Sequence, residues 1–342
     1  MSVAYPITRP VPQEIGRRIA FLGVGWIGLS RLQAMVDTGL CRKVVLCDPS
    51  DERIAEACRA APAAECVSSF DALLDRDLDG VVIATPSAVH AEQALRAIDR
   101  GLAVFCQKPL ARTADEVRTV IAAAKARNVL LGVDLSYRHA EGVRVLRDRV
   151  RGGQLGRIFD VELVFHNAYG PDKAWFYDKT LSGGGCLMDL GIHLVDLALD
   201  VLDWPEVGEV RGALFAEGRR LTGAREVTED FASATISLAN GVNVRLACSW
   251  KLNAGCDAVI EASFHGTEAS ASFRNLAGSF YDFETVLLRG TSQERLVAPP
   301  DEWGGRAARL WLTQLAADPG YDPEIEHMAQ VAETLDRIYL ST

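Results

Sequence analysis

No stretch of the 342-residue sequence approaches the run of about 18 apolar residues that a membrane span needs, so no membrane partner is expected. The start, MSVAYPITRPVPQEIGRR, has three prolines and no apolar core of signal-peptide length, and residues 1–17 read as an irregular leader. A basic tract is missing too: 36 Lys and Arg stand against 46 Asp and Glu, a net charge of −10. That balance argues against a nucleic-acid partner or an anionic lipid surface. The eight cysteines (41, 47, 58, 66, 106, 186, 248 and 256) include no C-x-x-C and have no nearby pair of histidines at ligand spacing. A reduced, cytoplasmic protein with no metal site is the expectation. What is present is ordinary for a globular chain, 49% hydrophobic and 24% charged, and long enough for two domains.

From about residue 18 to 133, short apolar runs (RIAFLGVG, KVVLCD, GVVIATP, LAVFCQKP, NVLLGVD) are separated by segments of helix length. Such alternation predicts a parallel sheet covered on both faces. Beyond it lie long alternating strands, GRIFDVELVFHNA, DFASATISLANGVNVRLACSW and DAVIEASFHGTEASASF, with Asn240-Gly241 as a hairpin signal. The predicted fold class is α/β: a first domain over 18–137 with a parallel sheet, then an α/β domain over 138–342 with a large, mainly antiparallel open sheet. The hinge is expected near 134–139. Such a sheet would expose an apolar face unless covered, which predicts a homodimer or homotetramer.

Gly23, Gly25 and Gly28 form G-x-G-x-x-G between a strand and an amphipathic helix, with Trp26 and Ile27 inside the turn. The first glycine permits a tight turn, the second lets backbone approach a pyrophosphate, and the third allows close helix–strand packing. Asp48 ends the next apolar run, placed to accept hydrogen bonds from ribose hydroxyls. A carboxylate there repels a 2′-phosphate, which favours NAD and leaves NADP open, with Arg53 close by in sequence. The turn after a later strand, Thr85-Pro86 and on to His90, borders the same crevice, although His90 serves equally well as a packing residue at a helix start.

Gln107, Lys108 and Pro109 end the fifth apolar run. A lysine between a buried strand and a proline has little backbone freedom, as a catalytic donor needs, yet most lysines at loops are only solvated. Later, GGGCLMDLGIHLVDLALD sets Asp189, His193, Asp196 and Asp200 at spacings of four, three and four, one stripe of an α-helix. Periodicity does not say whether that stripe is a solvated face or a site.

Together, the glycine fingerprint, ATPSAVH, QKP and GGGCLMDLGIHLVD resemble the Gfo/Idh/MocA family of NAD(P)-dependent sugar and cyclitol oxidoreductases, in order and over nearly the whole chain. The resemblance implies a Rossmann domain, an active site between the domains, and catalytic residues Lys108, Asp189 and His193. On that reading His193 transfers the proton, Lys108 stabilises the reacting oxygen, and Asp189 orients a hydroxyl or the imidazole. Glycines 183–185 would let the chain pass close to a sugar. One departure stands out: the family's glutamate before the lysine is Gln107 here. An amide can only hydrogen-bond the lysine, and Gln107→Glu is expected to be tolerated.

Around the substrate, Tyr137, Asn167, Tyr169 and Trp175 supply aromatic faces with amide and hydroxyl groups, and Arg138 and His166 lie beside them. Asp196 is a further possible site residue, and Asp200 reads as a solvated helix aspartate. The leading expectation is hydride transfer between nicotinamide and a ring carbon of a sugar, sugar derivative or cyclitol. A redox-assisted glycosidase or epimerase with recycled NAD is the alternative enzyme, and a ligand sensor without chemistry is the alternative outside enzymes.

Overall fold

A computed structural model of the protein describes residues 16–222 and 227–341; of the expected leader only positions 16 and 17 lie within them. In the first domain the strands are β1 (Arg17–Leu22), β2 (Cys41–Cys47), β3 (Glu65–Cys66), β4 (Gly80–Ile83), β5 (Ala103–Gln107) and β6 (Leu131–Asp134). The helices between them are α1 (Trp26–Val36), α2 (Asp51–Ala60), α3 (Phe70–Leu74), α4 (His90–Asp99) and α5 (Ala114–Arg127). Local signals set their ends. Ser50 caps α2 by accepting from the N–H of Arg53 at 3.3 Å. Thr113 caps α5 in the same way, and Asn128 closes that helix in the left-handed region at φ 51°.

The six strands are parallel, in the order β3-β2-β1-β4-β5-β6. β4 and β5 are buried along their whole length, as strands covered on both faces must be. The order reverses between β1 and β4, so a crevice opens at the carboxyl ends of those strands, where ligands of such sheets bind. Every residue expected to touch a dinucleotide lies at that end.

After β6 a short turn, Ser136–His139, leads into α6 (Glu141–Arg151). The second sheet contains β7 (Ile158–Asn167), β8 (Val207–Ala216), β9 (Arg219–Leu221), β10 (Phe231–Leu238) and β11 (Asn243–Ser249). It continues with β12 (Ala258–Gly266), β13 (Ser270–Asn275), β14 (Phe283–Arg289) and β15 (Ser292–Val297). Among the described residues its order is β15-β14-β13-β12-β7-β11-β10-β8-β9, antiparallel except for β7 with β11. Asn240 and Gly241 make the turn from β10 to β11, with Gly241 at φ 85°.

The remaining helices are α7 (Lys179–Ser182), α8 (Ile192–Val201), α9 (Arg306–Ala317) and α10 (His327–Leu340). α6, α8 and α10 pack on one face of the large sheet, where Val161, Leu163 and Phe165 of β7 are buried. The alternate residues face away and are mainly polar: Arg245 pairs with Asp160 and Glu162, each at 2.6 Å, and Glu284 pairs with Arg274 and Arg295. The apolar face of the sheet is covered by α6, α8 and α10, so hiding it does not by itself argue for an oligomer.

The division at 138–342 also needs correction. α9 returns to the first domain, where Ala308, Trp311, Leu312 and Leu315 join Ile19, Phe21, Val82 and Phe105 in one apolar cluster. The Trp311 ring lies across Gly80 and Gly132, since a Cβ at either glycine would come within 2.9 or 2.7 Å of it. The first sheet needs cover on that face, and a helix from far along the chain supplies it.

Candidate active site

The three fingerprint glycines have separate jobs. Gly23 sits at φ 86° with its missing Cβ against the carbonyl of Ala84, and a Cβ on Gly28 would overlap the carbonyl of Gly23. At Gly25 a Cβ would meet nothing within 4 Å. That space lies at the start of α1, whose first N–H groups have no side-chain cap, as a cradle for an anionic pyrophosphate requires. Trp26, 71% exposed, and the half-buried Ile27 flank it. The Asp48 carboxylate is held by the N–H groups of Val24 (2.8 Å) and Ser50 (2.9 Å) at the edge of the same crevice. The donor set fits a dinucleotide.

Thr85 and Pro86 follow β4, with the Thr85 hydroxyl 2.6 Å from Oε1 of Gln93. His90 does not offer a ring nitrogen to the crevice. Nδ1 lies 2.7 Å from the carbonyl of Pro109 and Nε2 lies 2.7 Å from that of Thr85. Burial lowers its pKa, although the two carbonyls pull the other way. His90 is a strut between the turns after β4 and β5, which corrects its expected contact with the cofactor.

Lys108, at the end of β5, reaches into the second domain. Its Nζ lies 2.6 Å from Oδ1 of Asp189 and 2.7 Å from the Asp189 carbonyl. The preceding Gln107 does not touch that lysine as expected. Its amide donates to Asp134 Oδ2 at 2.5 Å, and the same carboxylate pairs with Arg31 of α1 and accepts from Ser136. All four side chains are buried. A glutamate at 107 would put a second carboxylate against Asp134, which argues against the expected tolerance of Gln107→Glu.

Asp189 stands on a turn that is not α-helical. Leu187–Gly191 forms a π-helical turn and leads into α8, so the single α-helical stripe is broken at its start. The preceding glycines pack against protein rather than opening a path to a sugar. A Cβ on Gly184 would overlap the Tyr339 hydroxyl, and one on Gly185 would overlap the backbone of Glu229. Glu229 is buried, accepts from the N–H groups of Gly185 (2.9 Å) and Leu187 (3.0 Å), and receives the Tyr339 hydroxyl at 2.7 Å. Nothing in the sequence near Glu229 signalled this cap, because its partners are far along the chain.

His193 is buried beside Tyr137, whose ring lies edge-on with centroids 4.9 Å apart. Its Nδ1 is buried and has no hydrogen-bond partner among the described residues. Burial, assisted by the charge of Lys108, holds its pKa well below the usual histidine value. Burial also raises the Tyr137 phenol, with Asp189 adding to the effect. The lower part of the stripe is structural. Asp196 pairs with Arg138 and Asp200 pairs with Arg147 at 2.8 Å, both aspartates being buried. Asp200 is thus not solvated, and Arg138 is committed to Asp196. Among the described residues no three His, Cys, Asp or Glu side chains cluster to hold a metal ion, and no helix is long and apolar enough to cross a membrane.

Asn167 ends β7 on the helix-facing side, with its Oδ1 buried and unpartnered among the described residues. His166 turns to the other face and bonds Ser249 at 2.7 Å. Tyr169 is 52% exposed near Phe280, and Trp175 stacks on Phe176 with centroids 3.9 Å apart. Trp250, seen in the sequence only as the end of a strand, donates from Nε1 to Oδ2 of Asp189 at 3.1 Å.

A parallel dinucleotide sheet facing a second domain across a half-buried Lys–Asp pair defines a two-domain, nicotinamide-dependent oxidoreductase. The model of an oxidoreductase family with an NAD-binding Rossmann fold matches residues 17–135, and the GFO/IDH/MocA C-terminal domain matches 143–272. The chain belongs to the Gfo/Idh/MocA family. It is 31% identical to 1,5-anhydro-D-fructose reductase of Ensifer adhaerens, over 73% of this chain and 72% of that protein. It is 32% identical to D-glucoside 3-dehydrogenase of Escherichia coli (strain K12), over 57% of this chain and 58% of that one. Among solved structures it is similar to levoglucosan dehydrogenase in complex with NADH and levoglucosan, with a TM-score of 0.81 at 23% identity over 95% of this chain and 97% of that one. GenD2 from gentamicin A biosynthesis, in complex with NAD, has the same fold, with a TM-score of 0.81 at 23% identity over 99% of this chain and 97% of that one.

Proposed function

We propose that this enzyme interconverts a secondary ring hydroxyl and the corresponding ketone on a sugar or sugar derivative, with Lys108, Asp189 and His193 as the groups around the reacting oxygen. The observation that carries the reading is the Lys108–Asp189 pair, which brings a side chain from the end of β5 against the turn that leads to His193. Nicotinamide, when bound, supplies the hydride acceptor or donor. The residues' own work is proton transfer and charge stabilisation. His193, neutral because burial depresses its pKa, accepts the hydroxyl proton in the oxidising direction and returns it in the reducing direction. Lys108 donates to the same oxygen and stabilises its developing negative charge.

Asn167 Oδ1, buried without a partner among the described residues, is an acceptor for a neighbouring hydroxyl. Tyr169 and Trp175 offer aromatic faces to a sugar ring. Asp48, fixed by two backbone N–H groups, favours NAD because its carboxylate repels a 2′-phosphate. The relatives' names point to anhydro sugars and glycosides as first substrates to try. The test is a panel of methyl α-D-glucoside, levoglucosan, 1,5-anhydro-D-fructose, D-xylose and myo-inositol with NAD(H) and NADP(H), followed by absorbance of the reduced nicotinamide. Turnover of at least one sugar, faster with NAD(H), is expected; no cofactor-linked turnover on an extended panel overturns the reading.

A further inference from the structure

Three consecutive residues after β11 touch the separate parts of the candidate substrate site. Trp250 Nε1 donates to Oδ2 of Asp189 at 3.1 Å, while Lys108 holds Oδ1 at 2.6 Å. Lys251, in the left-handed region at φ 60°, sets its Nζ 5.2 Å from the ring centre of Tyr177. The N–H of Leu252 donates to the carbonyl of Asn167 at 2.9 Å. The Trp250 ring itself is buried, and Phe176 and Tyr177 of the substrate loop meet it edge-on with centroids 6.2 and 5.5 Å away. Tyr177 ties that loop to itself by donating to the carbonyl of Pro171 at 3.0 Å.

The last torsion of an aspartate is broad, so one partner on one oxygen leaves the carboxylate free to turn. A second donor on the other oxygen removes that freedom. Indole is suited to the task because its N–H only donates and never competes with the lysine as an acceptor. Both Asp189 oxygens thus accept from Lys108 and Trp250, and the imidazole of His193 donates no hydrogen bond to this carboxylate among the described residues.

We propose that Trp250 is a positioning residue, which fixes the rotation of the Asp189 carboxylate so that Oδ1 faces Lys108, and whose ring is also the seat of the aromatic loop at 169–182. The same side chain then links loop packing over the substrate to the aim of the Lys108–Asp189 pair. This rests on the proposed roles of that pair, and one arm of its test requires no turnover.

The experiment uses the full chain with ¹⁵N-labelled tryptophan and compares parent, Asp189→Asn and Trp250→Phe. Loss of one indole cross-peak in Trp250→Phe identifies the Trp250 N–H. In Asp189→Asn that peak is expected to move upfield, since a neutral amide is a weaker acceptor than a carboxylate. A peak that stays in place overturns the proposal. Trp250→Phe keeps an aromatic ring under Tyr177 and deletes the donor. With the fastest sugar of the panel, kcat is expected to fall about ten- to hundredfold while NADH affinity and the KM for cofactor hold within about twofold, the split expected from losing one charge-assisted hydrogen bond. A parental kcat in a variant that binds NADH normally overturns the proposal. Where Trp250→Phe fails to bind NADH, the Asp189→Asn spectrum decides, with the Trp250 peak assigned by elimination from Trp→Phe variants of the other five tryptophans. If the parent turns over no sugar, the proposed function fails while the indole peak still decides the hydrogen bond on which the positioning role stands.

Discussion

Lys108 donates to both the Oδ1 and the backbone carbonyl of Asp189, at 2.6 and 2.7 Å, so that one side chain of the first domain closes on one residue of the second. Lys108→Met keeps the length of the chain and removes the donor. Its kcat should fall by about 10²–10³, the usual cost of losing one donor to a developing oxyanion. NADH titration of the same variant should give an affinity close to the parent's. A kcat within a few-fold of the parent would remove Lys108 from the chemistry.

Gln107→Glu should lower stability by about 3 kcal/mol, because Arg31 would then face two buried carboxylates instead of one. Adding Asp134→Asn in the same chain returns the count to one carboxylate and should recover most of the loss. Urea unfolding of the two single variants and the double checks this. A double variant less stable than either single would contradict it.

His139 gives the fold a pH dependence whose sign follows from its burial. Desolvation, with Arg138 acting in the same direction, pushes its pKa down to about 4. The unfolded chain takes up that proton near pH 6.5, about the ordinary histidine value. The unfolded state therefore binds more protons in between, so the contribution to stability is complete above about pH 6.5 and is lost as the pH falls toward 4. His193, also lowered, contributes with the same sign. The Tm should drop on acidification through this window, and His139→Gln should flatten the drop. An unchanged slope in the variant would contradict the assignment.

Trp311→Ala should cost about 3–5 kcal/mol, the range for removing a large buried ring. The damage should fall on the first domain, since the ring covers Gly80 and Gly132. NADH binding should weaken at urea concentrations where the parent still binds. Equal resistance to urea in parent and variant would show that α9 is not part of that domain's core.

Much of this was legible in the sequence because the signals are local. Gly23, Gly25 and Gly28 act over six residues, and the close contacts at Gly23 and Gly28 follow from that spacing. Lys108 and Asp189 were legible through motifs that the family resemblance supplied, not through periodicity. What could not be read depends on partners distant in the chain. His90 is bonded to Pro109 as well as to nearby Thr85, Gln107 faces Asp134, and Gly184 gives way to Tyr339; no local pattern encodes such distant meetings. Asp200 looked solvated because its arginines lie on α6, some 50 residues earlier, with Arg147 the nearest partner. The return of α9 to the first sheet was hidden for the same reason, as was the indole of Trp250 behind Asp189.

The most direct measurement is cofactor-linked turnover of the sugar panel by the parent, Lys108→Met and His193→Ala, with NADH affinity measured in parallel. The account predicts that the parent produces one reduced nicotinamide for each ketone formed, and that both variants bind NADH but lose turnover by about a hundredfold or more. Parental rates in either variant, or product formed without net change in the cofactor, would contradict it.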